Sequence, residues 1–256
     1  MQHDAEILDQ FTRQAEPFLR RHENSNNDLL QLMANCADLC PTDTVLDIAC
    51  GPGIVSCFFA LRAAHVTGLD IVPAMLERAR RLQMERQLAN MDWMLGQSTA
   101  LPFANGSLDR VVTRFSFHHY IEPAGALAEM KRVCKPGGML LVADVTPRLD
   151  AQDRFNHWEI LRDPSHTRAL TQAEMEMLGK EAGLHLARRA SFRLVMDLED
   201  LLGSSFPGPG DADKIRALFE DDIQSQTDRL GVSAWREKDR VKLTYPITVL
   251  AWRKQA

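Results

Sequence analysis

Apolar side chains recur three and four positions apart over 6–21 and again over 27–38, a spacing that predicts two amphipathic helices. From residue 44 the period alternates. Short apolar, β-branched runs at 44–49, 66–70, 92–96, 108–115 and 139–144 read as strands, and helical spacing at 54–64, 73–87 and 124–134 fills the gaps between them. Strands alternating with helices predict a parallel sheet covered by helices on both faces. Pro136-Gly137-Gly138 marks a helix stop and turn before the fifth strand. Thr171, with Glu174 three residues on, opens a further helix that should stop near Gly183. Residues 185–196 and 245–253 read as the last two strands. The segment between them, 197–242, is too long for a hairpin loop. Its run Ser204-Ser205-Phe206-Pro207-Gly208-Pro209-Gly210 reads as a hinge flanked by polar helices. That segment is either a surface elaboration or a lid over a site at the carboxyl edge of the sheet. No internal repeat or low-complexity tract is present.

The first strand runs into Asp47-Ile48-Ala49-Cys50-Gly51-Pro52-Gly53, and a helix follows at once. Gly51 and Gly53 let the backbone approach a ligand with no Cβ in the way. The helix aims its unpaired N–H groups at whatever sits in the turn. The second strand ends at Asp70, with Ile71 beside it, and a carboxylate there can accept both ribose hydroxyls of an adenosine moiety. Turn and carboxylate together point to an adenosine-containing cofactor; the bland alternative is a tight turn without a ligand. NAD fits less well, because Ser56 stands where the G-x-G-x-x-G fingerprint needs its third glycine.

Five segments in order resemble the class I S-adenosylmethionine-dependent methyltransferases, nearest the type 11 branch with the ubiquinone and menaquinone biosynthesis enzymes. They are Leu46 to Gly53; Gly68-Leu69-Asp70 with Pro73-Ala74-Met75-Leu76; and Gly96-Gln97-Ser98 with Ala100-Leu101-Pro102-Phe103. Next come Leu108-Asp109-Arg110-Val111-Val112-Thr113-Arg114-Phe115 running into His118-His119, then Glu129 to Gly138 with Leu140 to Asp144. The resemblance implies an α/β, Rossmann-like sheet of seven mostly parallel strands, the last antiparallel, with a helical cap first and a helical insertion before the final strand. It implies S-adenosylmethionine as cofactor, with Asp47, Ala49, Gly51 and Gly53 cradling its methionine and ribose end. Asp70 would take the ribose hydroxyls, Met75 would pack on the adenine, and Gln97 and Ser98 would meet its polar edge. Two positions depart from the family pattern. Ala49 replaces a common glycine, and Gln97 replaces an aspartate that often receives the adenine amine; its amide oxygen can still accept.

Composition fits one catalytic domain over 1–256, with a cap at 1–40, a cofactor-binding core at 41–196, an insertion at 197–242 and a final strand at 243–256. With 256 residues, 45% of them apolar, the chain can bury a large core. A net charge of −5 and no basic run argue against nucleic acid. No apolar stretch is long enough to span a membrane, and the first residues are polar and acidic, unlike a secretory signal. Five cysteines, an odd number in no disulfide or zinc spacing, fit reduced thiols in the cytoplasm and no metal. A homodimer is compatible with the sequence and not specified by it.

Methyl transfer needs the nucleophile aligned with the sulfonium and water kept out, and a base helps where that nucleophile carries a proton. His118 and His119, just past the fourth strand, are the candidates; the alternative is that one caps backbone groups and the other packs beneath the cofactor. Arg114 could pair with the cofactor's carboxylate or an acidic substrate, or make a structural ion pair with Asp109 or Asp144. Phe115 and Phe117 could line the sulfonium pocket, though at strand spacing one of them should be plain core. Two further segments resemble a narrower, largely bacterial branch: residues 11–18, which there tend to cover the cofactor, and residues 159–168, which help roof the substrate pocket. The second is expected to be a charged loop, with Glu159, Arg162 and His166 as candidate substrate contacts, unless Asp163 merely caps Ser165 or His166. Arg13 and Gln14 could simply face solvent. The expected function is methyl transfer to an O, N or C nucleophile of a small-molecule acceptor. The alternative is a cofactor-binding protein with a non-methylating role, as a cyclase, decarboxylase or regulatory subunit.

Overall fold

The computed structural model describes residues 2–22 and 27–255, with side chains left aside at 2 and 16–22. Two helices come first, α1 (Gln2–His22) and α2 (Asn27–Cys36). Then follow β1 (Thr44–Ile48), α3 (Ile54–Ala60), β2 (His65–Asp70), α4 (Pro73–Glu85), β3 (Met91–Leu95), β4 (Leu108–Arg114), α5 (Pro123–Val133) and β5 (Cys134–Val145). The remainder is α6 (Gln152–Arg162), α7 (Gln172–Glu181), β6 (His185–Asp197), α8 (Leu198–Ser205), α9 (Asp211–Ser225), β7 (Trp235–Glu237) and β8 (Arg240–Arg253).

The sheet order is β3-β2-β1-β4-β5-β8-β6, with β7 paired to β8. Strands β1 to β5 are parallel, and β8 runs antiparallel between β5 and β6. This is the mostly parallel, Rossmann-like sheet expected, with the three-residue β7 as an eighth strand. Side chains alternate across each strand, and both faces are buried. Val111, Leu140, Val142 and Leu250 point to the layer of α5 and α7, whereas Val112, Leu141, Ala143 and Val249 point to the layer of α2, α3, α6, α8 and α9. Burial on both faces is why these strands read as continuous apolar runs.

Several boundaries differ from the sequence reading for local reasons. Helix α5 ends at Val133, before Pro136-Gly137-Gly138, and the chain enters β5 at Cys134 through an irregularity in its pairing with β4, so the Pro-Gly-Gly run falls inside β5. Strand β8 begins at Arg240, five residues early, because β6 is long enough to pair with it as far as Lys242. Helix α3 stops at Ala60, and Ala64 N–H turns to the Asp43 carbonyl instead. The largest correction is α6. Glu159 and Arg162 sit on its last turn, not in a loop, and the loop proper starts at Asp163. Thr171 caps α7 as read: its hydroxyl accepts from Glu174 N–H (3.2 Å), and the Glu174 carboxylate accepts from Thr171 N–H (2.7 Å).

Of the Ser204–Gly210 run, Ser204 and Ser205 close α8, and 206–210 link it to α9. An aromatic cluster anchors this side of the molecule: Trp158 packs on Phe155, Phe219 and Tyr245 with ring centroids 5.2–5.9 Å apart. Each such pair contributes about 0.5–1.5 kcal/mol beyond its buried area. The cluster fixes α6, α9 and β8 as one rigid wall.

Candidate functional site

A cavity of about 410 Å³ opens where β1, β2, β4 and β5 end. One side is the turn after β1. There Ala49, Gly51 and Gly53 have φ of 52°, 53° and 83°, so the backbone reverses in left-handed steps. Gly53 has no room for a side chain, since a Cβ would lie 2.6 Å from Trp93 Cη2 and 2.9 Å from Ala79 Cβ. At Gly51 nothing lies within 4 Å, and that residue lines the cavity.

Two carboxylates flank the turn. Asp70 Oδ2 accepts from Gly51 N–H (2.7 Å) and Oδ1 from Val72 N–H (2.9 Å), which ties the end of β2 to the turn. Burial pushes its pKa up to about 6 against those hydrogen bonds. Asp47 accepts from the Ser56 hydroxyl, and burial raises it to about 7, opposed by that bond and by Arg114. Arg114 is itself buried and lowered to about 10 by desolvation, with Asp47 pulling the other way. Its Nη1 makes no hydrogen bond among the described residues. Neither ion pair expected for Arg114 forms: Asp109 binds Lys135 (2.9 Å) and Asp144 binds His118.

Ile71, Met75, Gln97 and Ser98 line the cavity beyond Asp70, as does Tyr120, whose hydroxyl is buried without a hydrogen-bond partner among the described residues. Phe115, at φ 55°, turns its ring into the cavity, whereas Phe117 is core.

The opposite wall holds the histidines. His118 Nδ1 donates to Asp144 Oδ1 (2.6 Å). Burial disfavours its imidazolium, yet the Asp144 charge and hydrogen bond outweigh this and raise its pKa. His119 Nδ1 donates to the Ser165 carbonyl (2.9 Å); burial first and the His118 charge second lower its pKa to about 4. Both rings line the cavity, 4.2 Å apart. His166 does not. It stacks behind His118 at 5.4 Å and donates through Nε2 to Asn156 Oδ1 (2.8 Å), so its expected substrate contact is corrected to a supporting position.

Glu159 and Arg162 do reach the cavity, but as partners. Arg162 donates to Glu159 Oε2 (2.6 Å) and Ser205 Oγ (2.8 Å), while Tyr245 OH donates to Glu159 Oε1. Asp163 accepts from Ser165 N–H (3.0 Å), the capping role weighed for it. The face of α1 carrying His3, Ile7, Phe11 and Gln14 closes the mouth, and Gln14, far from facing solvent, is buried against Asp163 (3.3 Å). Of the other positions read in 11–18, the side chains from Glu16 on lie outside the described residues.

A family model described as methyltransferase domain matches residues 46–142. The uncharacterized methyltransferase YcgJ of Bacillus subtilis is 30% identical over 170 residues, 66% of this chain and 67% of that one. The ubiquinone/menaquinone biosynthesis C-methyltransferase UbiE of Cereibacter sphaeroides is 31% identical over 170 residues, 60% of this chain and 68% of UbiE. The chain belongs to the S-adenosylmethionine-dependent methyltransferases. The demethylmenaquinone methyltransferase of Renibacterium salmoninarum and the UbiE of Ruegeria sp. are matched over 46% and 43% of their own length. The crystal structure of YcgJ shares this fold, with TM-score 0.81 at 22% identity over 89% of this chain and 98% of that one. So does the [4+2]-cyclase SpnF, with TM-score 0.64 at 20% identity over 92% and 87%; that likeness shows the fold alone.

The residues present fit the methyltransferase cofactor. The unpaired, buried Arg114 Nη1 suits a carboxylate, and the open space at Gly51 admits a ligand against the backbone. Four lining or supporting residues escaped the sequence reading in these roles: Trp93, Tyr120, Asp144 and Tyr245. Only Trp93 left a signal, since Gly68 inside a strand marks a close approach, and a Cβ there would lie 2.4 Å from the same indole.

Proposed function

We propose that this methyltransferase acts on a small, largely apolar, uncharged acceptor held between the turn after β1 and the wall formed by Leu194, Met196, Leu201 and Tyr245. The observation that carries this reading is that one cavity joins the two. Among the described lining residues, Arg114 and Arg162 are the arginines and no lysine is present. Arg162 is neutralised by Glu159 and Asp163, and Arg114 stands beside Asp47 in the cradle. No free cation is left for a phosphate or carboxylate on the acceptor.

When bound, the cofactor would supply an electrophilic methyl group on a sulfonium. Asp47, Ala49, Gly51 and Gly53 hold its methionine and ribose end, with Arg114 on the carboxylate. Asp70 takes the ribose hydroxyls, Ile71 and Met75 pack on the adenine, and Gln97 and Ser98 meet its edge. Phe115 and the face of α1 exclude water, and His118 or His119 serves an acceptor that must lose a proton. Glu159 and Arg162 shape the far end of the acceptor pocket.

The whole chain serves as one catalytic domain, with α8 and α9 as the lid. No helix among the described residues is long and apolar enough to cross a membrane. All five cysteines are free, which supports a cytoplasmic setting. The acidic balance supports a small acceptor over nucleic acid. The test is methyl transfer from labelled cofactor to panels of neutral apolar and of anionic acceptors. Labelled products from the neutral panel support the reading; products from the anionic panel alone overturn it.

A further inference from the structure

We infer that Asp144 is a positioning residue that holds His118 as the proton acceptor, and that the nucleophile methylated is an acidic hydroxyl, of the phenol or enol class. This rests on the methyltransferase reading of the same cavity. Three constraints fix the His118 ring. Its Nδ1 donates to Asp144 Oδ1 at 2.6 Å. Its backbone carbonyl accepts from Thr167 N–H and Thr167 Oγ1, both at 2.8 Å. The other Asp144 oxygen accepts from Phe117 N–H at 2.7 Å, which pins the short turn carrying the histidine. With Nδ1 committed, Nε2 is the nitrogen left for chemistry on a ring that lines the cavity.

The neighbouring His119 has the opposite environment. Its Nδ1 is spent on a neutral carbonyl, and burial beside His118 keeps it uncharged. The two adjacent imidazoles have different partners, a carboxylate on one Nδ1 and a neutral carbonyl on the other, and this divides the labour: neutral His118 takes the proton, and His119 stays a neutral hydrogen-bonding wall. The charged and titratable groups facing His118 are Asp144 on β5, Glu159 and Arg162 on α6, His119 on its own turn and His166 on the loop after α6. In the reaction the acceptor oxygen gives its proton to Nε2 and gains the methyl carbon, while the electrons of the broken carbon–sulfur bond stay on sulfur. The imidazolium so formed is paired with Asp144, and charge is conserved. A carbon without an acidic proton makes no use of this dyad, and a charged ammonium does not match the uncharged acceptor proposed above.

The test is NMR titration of the histidine side chains in the whole protein, alone and with S-adenosylhomocysteine, for wild type, Asp144→Asn and His118→Asn. The inference predicts a Nδ1–H tautomer for neutral His118, with a pKa above the usual 6.5 that falls by a unit or more in Asp144→Asn. Because Asp144 also holds backbone, Asp144→Asn could lose its fold; the wild-type tautomer alone then decides. With labelled cofactor and a phenol panel, the rate should rise with pH through the measured His118 value. His118→Asn should lose on the order of 10²-fold in kcat, with KM little changed. A Nε2–H tautomer, or a pKa that Asp144→Asn leaves unchanged, overturns the inference while ligand binding persists. Failure of wild type to bind S-adenosylhomocysteine would instead overturn the methyltransferase reading.

Discussion

The indole of Trp93 occupies the space where Gly53 would carry a side chain, with Cη2 2.6 Å from the ideal Cβ position. Strand β3 thereby props the turn after β1 from behind, and Gly51 on the other side of the turn is left facing open space. The two glycines serve different ends, one packing and one ligand approach.

Gly53→Ala and Gly51→Ala should therefore part company. Gly53→Ala meets the rigid indole, Ala79 and a φ of 83°, so it should unfold the turn and lower Tm sharply. Gly51→Ala meets nothing and should cost about 1 kcal/mol for its left-handed backbone. It should stay folded yet bind S-adenosylhomocysteine at least tenfold more weakly. Calorimetry and thermal melts of both variants check this.

The elevated carboxylates of Asp47 and Asp70 predict a pH dependence of both stability and binding. Folded values near 7 and 6 lie above the ordinary value of about 4 in the unfolded chain. Their contribution to stability is thus full below pH about 4 and is lost as pH rises through about 6 and 7. Ligand hydroxyls and ammonium groups need the ionised forms, so affinity moves the opposite way. S-adenosylhomocysteine should bind about tenfold or more tightly at pH 8 than at pH 5, with proton release at pH 6. Titrations in buffers of different ionisation enthalpy measure that release.

Glu159 is the keystone of the far wall, since Arg162 and Tyr245 both donate to it inside the protein. Glu159→Gln leaves a buried guanidinium with Ser205 and with Asp163 at 3.7 Å. Breaking one half of a buried pair costs about 3 kcal/mol, which for a chain of this size lowers Tm by roughly 6–12 °C. Glu159→Gln combined with Arg162→Met should recover part of that loss in the same melt.

The Tyr120 hydroxyl is buried at the cavity without a partner among the described residues. A bound adenosyl ligand that satisfies it gains one hydrogen bond, worth about 0.5–1.5 kcal/mol. Tyr120→Phe should weaken methylthioadenosine and S-adenosylhomocysteine alike, by roughly 2- to 10-fold. Arg114→Met should weaken only the ligand that carries a carboxylate.

The sheet was legible because each parallel strand is buried on both faces, which leaves uninterrupted apolar runs separated by helical periods. The cradle was legible because its demands fall on local residues: left-handed backbone at Gly51 and Gly53, and a carboxylate at the end of β2. Ala49 shows the limit of that logic, since it holds φ of 52° without being glycine. Helix α6 was missed because its buried face mixes Phe155 and Trp158 with Gln152, Glu159 and Arg162, the last two buried through pairing with each other, so the apolar period is too short to announce the helix. The Asp144–His118 pair joins residues 26 apart in sequence, and Tyr245–Glu159 joins residues 86 apart. Such partners are set by sheet order and leave no local spacing to read.

The central claim, an adenosyl cofactor bound between Gly51, Asp70 and Arg114, is tested most directly by calorimetric titration of the whole protein with S-adenosylmethionine, S-adenosylhomocysteine and NAD. The structure predicts one site per chain for each adenosyl ligand and none for NAD. Binding of NAD without either adenosyl ligand would contradict it.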